Sequence, residues 1–150
     1  LSQGESSRLQ KSVVDDQQKA VFAGAFPLEL EDPGANICFA IANMGVEVAD
    51  LDKAIDEVIT DVQKNLITPE EYQKLQNQVE NDFVTANRKV AGIAESLANY
   101  EMYFGDAALI NTELERYRKV TREDIMAAAN KYFKRSSRVV IYWLPNPKQP

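Results

Sequence analysis

The sequence predicts an α+β domain in which helices pack on an antiparallel sheet. Three observations lead to the α+β reading. Two apolar runs, KAVFAGAFP and ANICFAIANMG, lie close together near the start, and a third, RVVIYWLP, closes the chain. Between them, apolar residues recur every three or four positions, the period of helices. The resulting order is helix, strand, strand, a block of helices, strand, with three strands against five or six helices.

LSQGESSRLQKSVVDD places Leu9 and Val13 four apart, which predicts a short helix capped by Ser6 or Ser7. In KAVFAGAFP, Gly24 permits a bulge or a close backbone approach. Asp32, Pro33 and Gly34 turn the chain into ANICFAIANMG, so the two strands form a hairpin with a loose tip. Ile37, Phe39 and Ile41 share one face of the second strand and Cys38, Ala40 and Ala42 the other, a pattern expected of a central strand covered on both sides. Asp50 is placed to cap a helix carrying Leu51, Ala54, Ile55, Val58, Val62 and Leu66 on one stripe.

The stretch Thr68–Gly105 reads as the chain's scaffold. Thr68, Pro69 and Glu71 make a capping box with proline where no N–H is needed. Tyr72, Leu75, Val79, Phe83, Ala86 and Val90 form one apolar stripe, and Ile93, Ala94, Leu97, Tyr100 and Phe104 a second. The polar residues from Thr85 to Lys89 and the glycine at Gly92 predict two helices abutting at a break near Asn87 to Val90. DAALINTELERYRKV is helical but less regular, with Leu109, Ile110, Leu114 and Tyr117 as buried candidates. Thr121 and Asp124 start a last helix with Ile125, Ala128, Ala129, Tyr132 and Phe133 on its apolar side, and PNPKQP is a proline-rich exit. Three strands leave two open sheet edges, which proteins ordinarily pair or cover. Residues 1–150 are therefore expected to be one domain of a longer chain with a strand missing upstream.

Composition excludes several functions. With 45% hydrophobic and 27% charged residues, the chain can bury a core. A net charge of −6 works against phosphate-backbone binding, so nucleic acid is not the expected partner. No apolar run is long enough to insert this segment in a membrane. Cys38 is the single cysteine and reads as a small buried side chain. The chain has no histidine, which removes the usual general base, the usual zinc nitrogen ligand and any Ser–His or Cys–His nucleophile pair.

The remaining motifs carry no chemistry. Glu70–Glu71, Asp15–Asp16 and Glu29, Glu31 and Asp32 are carboxylate clusters explained by helix capping and exposed turns. Ser6 and Ser7 lack an activating base, and no glycine-rich phosphate loop occurs. Tyr72, Tyr100, Tyr103 and Tyr117 lie at helical spacings and read as core or half-buried anchors. The residues themselves thus define an acidic α+β domain without a catalytic centre.

SSRLQKSVV, the turn into AVFAGAFP, ITPEEYQKLQNQV, AESLANYEMYFGD, and VTREDIMAAANKYF followed by RVVIYWLP, taken in order, resemble the C-terminal-type domain of the pitrilysin/insulinase (M16) zinc metallopeptidases. The resemblance runs from Gly4 to Pro145. It implies two similar α/β halves that close around an unfolded peptide, with zinc held by an H-x-x-E-H motif in another domain. No cofactor is expected in this chain. The implied partners are a zinc-bearing domain, in cis or in trans, and a peptide substrate, and the implied setting is the bacterial periplasm or envelope. An Arg and a Tyr that help hold substrate in such proteins align, from Ser7-Arg8-Leu9, with Val14 and Val21, neither of which donates a hydrogen bond. What carries over is a possible chamber wall at the sheet edge formed by Val21, Phe22, Ala23, Gly24, Ala25 and Phe26. The same residues equally suit packing beneath helices. The resemblance also admits an inactive structural domain, like the core proteins of respiratory complexes.

Overall fold

A computed structural model of the chain describes residues 1–28, 30, 32 and 34–144. Its elements, in order, are a π-helix (Gln10–Asp16), strands β1 (Ala20–Leu28) and β2 (Ala35–Ala42), and helices α1 (Val48–Lys64), α2 (Pro69–Ala86) and α3 (Val90–Phe104). A 3-10 turn (Ala107–Asn111), helices α4 (Glu113–Arg118) and α5 (Arg122–Tyr132) and a second 3-10 turn (Arg135–Ser137) follow. Glu29, Glu31 and Pro33 of the expected turn and carboxylate cluster, and the PNPKQP exit, lie outside the described residues. The chain forms two compact units, Leu1–Lys64 with Ala129–Pro150, and Asn65–Ala128.

The first unit holds the core. β1 and β2 pair antiparallel, with Ala23 opposite Ala40, Gly24 opposite Phe39 and Ala25 opposite Cys38, as the hairpin pattern predicts. Leu9 and Val13, four apart in sequence, are fully buried and pack with Ala20, Ala23, Leu51, Ala54 and Val58. The N-terminal helix forms as expected, with the Gln17 N–H donating to the Ser12 carbonyl five residues back, so it is wound as a π-helix. The Ser7 Oγ accepts from the Gln10 N–H at 3.4 Å. The end of α1 is tied to the end of α5: the Gln63 amide donates to the carbonyls of Ala129 (3.2 Å) and Phe133 (2.9 Å), and Asn130 donates back to the Gln63 carbonyl (2.8 Å).

Several expectations are corrected here. The register shift falls between Ala20 and Phe22, not at Gly24, so Val21 occupies the bulge. Gly24 instead serves close approach, since a Cβ there would lie 3.1 Å from the Phe22 ring and 3.2 Å from that of Phe39. β2 is not central: among the described residues the sheet has two strands, and Ile37, Phe39 and Ile41 are exposed. RVVIYWLP does not form the third strand over its described part, 138–144. Its β-branched and aromatic residues favour extended backbone, but a ladder also needs a neighbouring strand's N–H and C=O groups, and none lies alongside. Helix α1 begins at Val48, so Asp50 lies in its first turn, beside the exposed N–H groups, and is not its cap.

The second unit is helical, and its termini follow the sequence closely. Thr68 caps α2, its hydroxyl accepting from the Glu71 N–H at 3.2 Å, with Pro69 at the first helical position. Backbone hydrogen bonding, and after it the Thr68 hydroxyl, hold the Glu70 carboxyl below its usual range. α2 stops at Asn87 and α3 starts after Lys89, as the break predicts. Gly105 ends α3 in a left-handed conformation, φ 68°, with the Glu101 carbonyl accepting its N–H. Thr121 and Asp124 form a reciprocal cap on α5: Asp124 Oδ2 accepts from the Thr121 N–H (2.9 Å) and hydroxyl (2.7 Å), and the Thr121 hydroxyl accepts from the Asp124 N–H (3.1 Å).

The apolar stripes of α2 and α3 are not buried as a scaffold would be. Ile67 is the only buried residue of Asn65–Ala128. An amphipathic stripe is buried only where a matching apolar surface faces it, and along α2 Tyr72, Leu75, Val79 and Phe83 are only half-buried. The Tyr72 hydroxyl donates to the Val120 carbonyl (2.7 Å), the Gln76 amide donates to the Tyr117 carbonyl (3.3 Å), and Arg118 pairs with Glu80 (2.9 Å). Tyr72 and Tyr100 are half-buried, as anchors should be, while Tyr103 and Tyr117 are exposed.

Two substitutions test the helix boundaries. At Gly92 an added Cβ would lie 1.9 Å from the Ala86 carbonyl oxygen. Alanine's helix propensity favours the change by about 1 kcal/mol. A backbone clash of this kind costs roughly 1–3 kcal/mol, so Gly92→Ala is expected to lower the urea midpoint, and an unchanged or raised midpoint would refute the close approach. Hydrogen bonds from Thr121 depress the Asp124 pKa below its ordinary value of 3.8. The folded form therefore gains stability above that value and loses it as pH falls through the depressed one. Asp124→Asn should flatten the acid limb of a thermal-stability profile, and an identical limb would discount the cap.

Candidate functional site

The site grows from the two faces of the hairpin. Alternation along a strand sends neighbouring side chains to opposite sides, so the bulge at Val21 sets which residues point where. Ala23, Ala25, Ala40 and Ala42 face the π-helix and α1, where small side chains let the helices approach the sheet. Phe22, Gly24 and Phe26 then share the other face with Ile37, Phe39 and Ile41.

This outer face is apolar and open. The Phe22 and Phe39 rings lie 5.4 Å apart and tilted by 33°, and Phe26 meets Phe39 edge-on at 6.1 Å. The Phe39 ring leans over Gly24, whose missing side chain leaves room for it. Cross-strand aromatic contacts of this kind contribute about 0.5–1.5 kcal/mol each beyond area burial. Phe22, Phe26, Ile37, Phe39 and Ile41 all remain exposed.

Each residue of the expected wall now has a place. Phe22, Gly24 and Phe26 belong to the outer face, with the side chains of Phe22 and Phe26 exposed. Ala23 is buried and Ala25 half-buried on the inner face, and Val21 is exposed at the bulge. The six residues therefore form no single surface. Ile37, Phe39 and Ile41 complete the outer face but were assigned to a covered central strand; their alternation was legible, and the lack of a cover was not. Val14 packs against the core while Val21 stands out at the bulge, so neither offers a polar group to a ligand.

Two comparisons with known proteins bear on this arrangement. The chain is 26% identical over 145 residues to the zinc protease PqqE of Helicobacter pylori, covering 97% of this chain and 32% of that protein. It also matches the crystal structure of a Helicobacter pylori protease with a TM-score of 0.79 and 25% identity, over 91% of this chain and 33% of the other. The chain is thus similar, over nearly all of its length, to about a third of a zinc protease.

Further structures share its fold. A Bordetella pertussis Tohama I protein assigned as a zinc protease matches with a TM-score of 0.82 and 20% identity, over 97% of this chain and 80% of its own. The inactive peptidase domain of a zinc protease assigned in Bordetella parapertussis matches with a TM-score of 0.84 and 19% identity, over 100% of this chain and 79% of its own. No protein-family model matches the chain. The segment spans about a third of the length of its curated relative.

Among the described residues, no group of three His, Cys, Asp or Glu side chains is placed to hold a metal ion. No helix among them is long and apolar enough to cross a membrane. The segment has no histidine, and its paired carboxylates are engaged locally: Glu70 beside the Thr68 cap, and Asp15 accepting from the Gln10 amide at 2.9 Å. Cys38 is exposed, contrary to the buried side chain expected, because it sits on the inner face opposite Ala25 but beyond the residues that pack against the core. Surrounding apolar groups still withdraw water from the thiol and raise its pKa, with the N-terminal ammonium pulling the other way. A raised pKa leaves less thiolate at neutral pH. Alkylation of Cys38 should therefore be slower in the folded protein than after urea unfolding, and equal rates at the same pH would contradict the shift.

Proposed function

We propose that residues 1–150 are a non-catalytic, C-terminal-type domain of a zinc-dependent peptidase, which supports the zinc-bearing domain and helps enclose an unfolded peptide. The observation that carries this reading is the open outer face of the hairpin, with Phe22, Phe26, Ile37, Phe39 and Ile41 exposed in a segment that lacks histidine. A surface of rings and branched side chains binds extended peptide by shape and by excluding water from apolar side chains. It supplies no general base and no metal ligand, so water activation belongs to the zinc of another domain, held in cis or in trans. The names of the Helicobacter and Bordetella relatives support a zinc protease as the parent, and the inactive peptidase domain supports a segment that serves without cutting.

The test uses the full-length parent and a quenched fluorescent peptide. Deleting residues 1–150 is expected to abolish zinc-dependent cleavage while the remaining domain stays folded by circular dichroism. In the intact parent, Phe22→Asp with Phe39→Asp should raise KM about tenfold and change kcat less, since both residues would hold substrate without touching the reacting bond. Unchanged kinetics in the double variant would remove the outer face from the binding surface. No cleavage by any form of the parent would instead favour an inactive scaffold.

A further inference from the structure

The chain has three methionines, Met44, Met102 and Met126, and their surroundings differ widely. Met126 lies half-buried on α5, and Met102 is 67% exposed on α3. Met44 is 95% exposed, in the turn that leads from β2 to α1. A thioether ordinarily fills gaps in apolar surroundings, because it is flexible and polarisable. At Met44 it fills none, so packing does not explain its place.

The backbone beneath Met44 is fixed. The Val46 N–H donates to the Asn43 carbonyl at 3.1 Å, closing a turn with Met44 and Gly45 at its centre, and Gly45 has the left-handed φ of 78°. Asn43 anchors this turn to the chain entering β1. Its N–H donates to the Lys19 carbonyl (3.0 Å), its side-chain nitrogen donates to the Gln18 carbonyl (3.1 Å), and its Oδ1 accepts from the Met44 N–H (2.8 Å). The turn also stands clear of the fold: a Cβ added at Gly45 would meet no atom within 4 Å. A rigid backbone therefore presents the Met44 thioether to solvent, and none of the hydrogen bonds that fix it involves that side chain.

We propose that Met44 is a reversible oxidation site, which takes an oxygen atom from a peroxide at no cost to the fold and is restored by a thiol-dependent sulfoxide reductase. A sulfur lone pair attacks one peroxide oxygen, and the S–O bond forms as the O–O bond breaks, so the sulfur loses two electrons and the peroxide gains them. The second oxygen leaves as hydroxide and takes up the remaining proton, giving sulfoxide and water. In the return step two reductase thiols give up two electrons, join as a disulfide and release the oxygen as water. Access decides which thioether reacts, and a sulfoxide, being polar, disrupts a structure only where the methionine was packed among apolar groups. Both conditions select Met44, and half-buried Met126 meets neither. The site stands independently of the peptidase reading.

Peptide mapping by mass spectrometry, on the full-length parent in dilute hydrogen peroxide, follows each methionine. Met44 is expected to oxidise first, within about twofold of its rate in urea-unfolded protein, with Met102 next and Met126 about tenfold slower. In Met102→Leu, a change at an exposed position, brief treatment converts Met44 ahead of Met126. The urea midpoint of that sample should match that of a Met44→Leu, Met102→Leu double variant treated alike. Reductases for both sulfoxide epimers, supplied with a dithiol, should return Met44 to the thioether while the protein stays folded. Slower oxidation at Met44 than at Met102 or Met126 would overturn the proposal. So would a midpoint lowered by the Met44 sulfoxide, or a sulfoxide that the reductases restore only after unfolding.

Discussion

The first unit depends on one steric condition, the small inner face of the hairpin. Ala20, Ala23, Ala25, Ala40 and Ala42 let Leu9 and Val13 of the π-helix and Leu51, Ala54 and Val58 of α1 settle against the strands. Interiors are packed as densely as organic crystals, so a larger side chain on that face would force the helices away. Placing the small residues inward leaves the phenylalanines nowhere to go but outward. The bulge at Val21 then fixes which residues belong to each face.

The outer face is therefore a by-product of core packing that becomes usable surface. Its rings are ordered by contacts with one another across the strands and by the space over Gly24. An ordered apolar face costs less to bind than a mobile one, because less side-chain freedom is lost on association.

Helix α1 connects these features. One side carries Leu51, Ala54 and Val58 into the core, while Asp61 pairs with Arg8, and Asp52 and Asp56 hold Arg135 and Arg138. Exposed ion pairs add little stability singly, but a network sharing two carboxylates fixes geometry. The second unit is built on another principle, with capped helices, half-buried apolar stripes and Ile67 as its buried residue.

What the sequence determined by itself was local. Capping and turn chemistry act over a few residues, so Thr68 with Pro69, the break at Asn87, Gly105 and the Thr121–Asp124 box were legible, as were the hairpin and the helical spacing of Leu9 with Val13 and of Leu51, Ala54 and Val58. The absence of histidine likewise excluded a histidine-based catalytic centre from this chain. Tertiary structure decided what lies against each apolar pattern. Alternation in β2 looks the same whether a second layer covers it or not, and the β-branched run at 138–144 has strand character wherever it lies. Only the absence of a neighbouring strand, and the pull of Asp52 and Asp56 on Arg138, made one face of the hairpin open and the last segment an extended arm on α1. Burial and strand pairing are relations between distant parts of a chain, and periodicity records only one side of each relation.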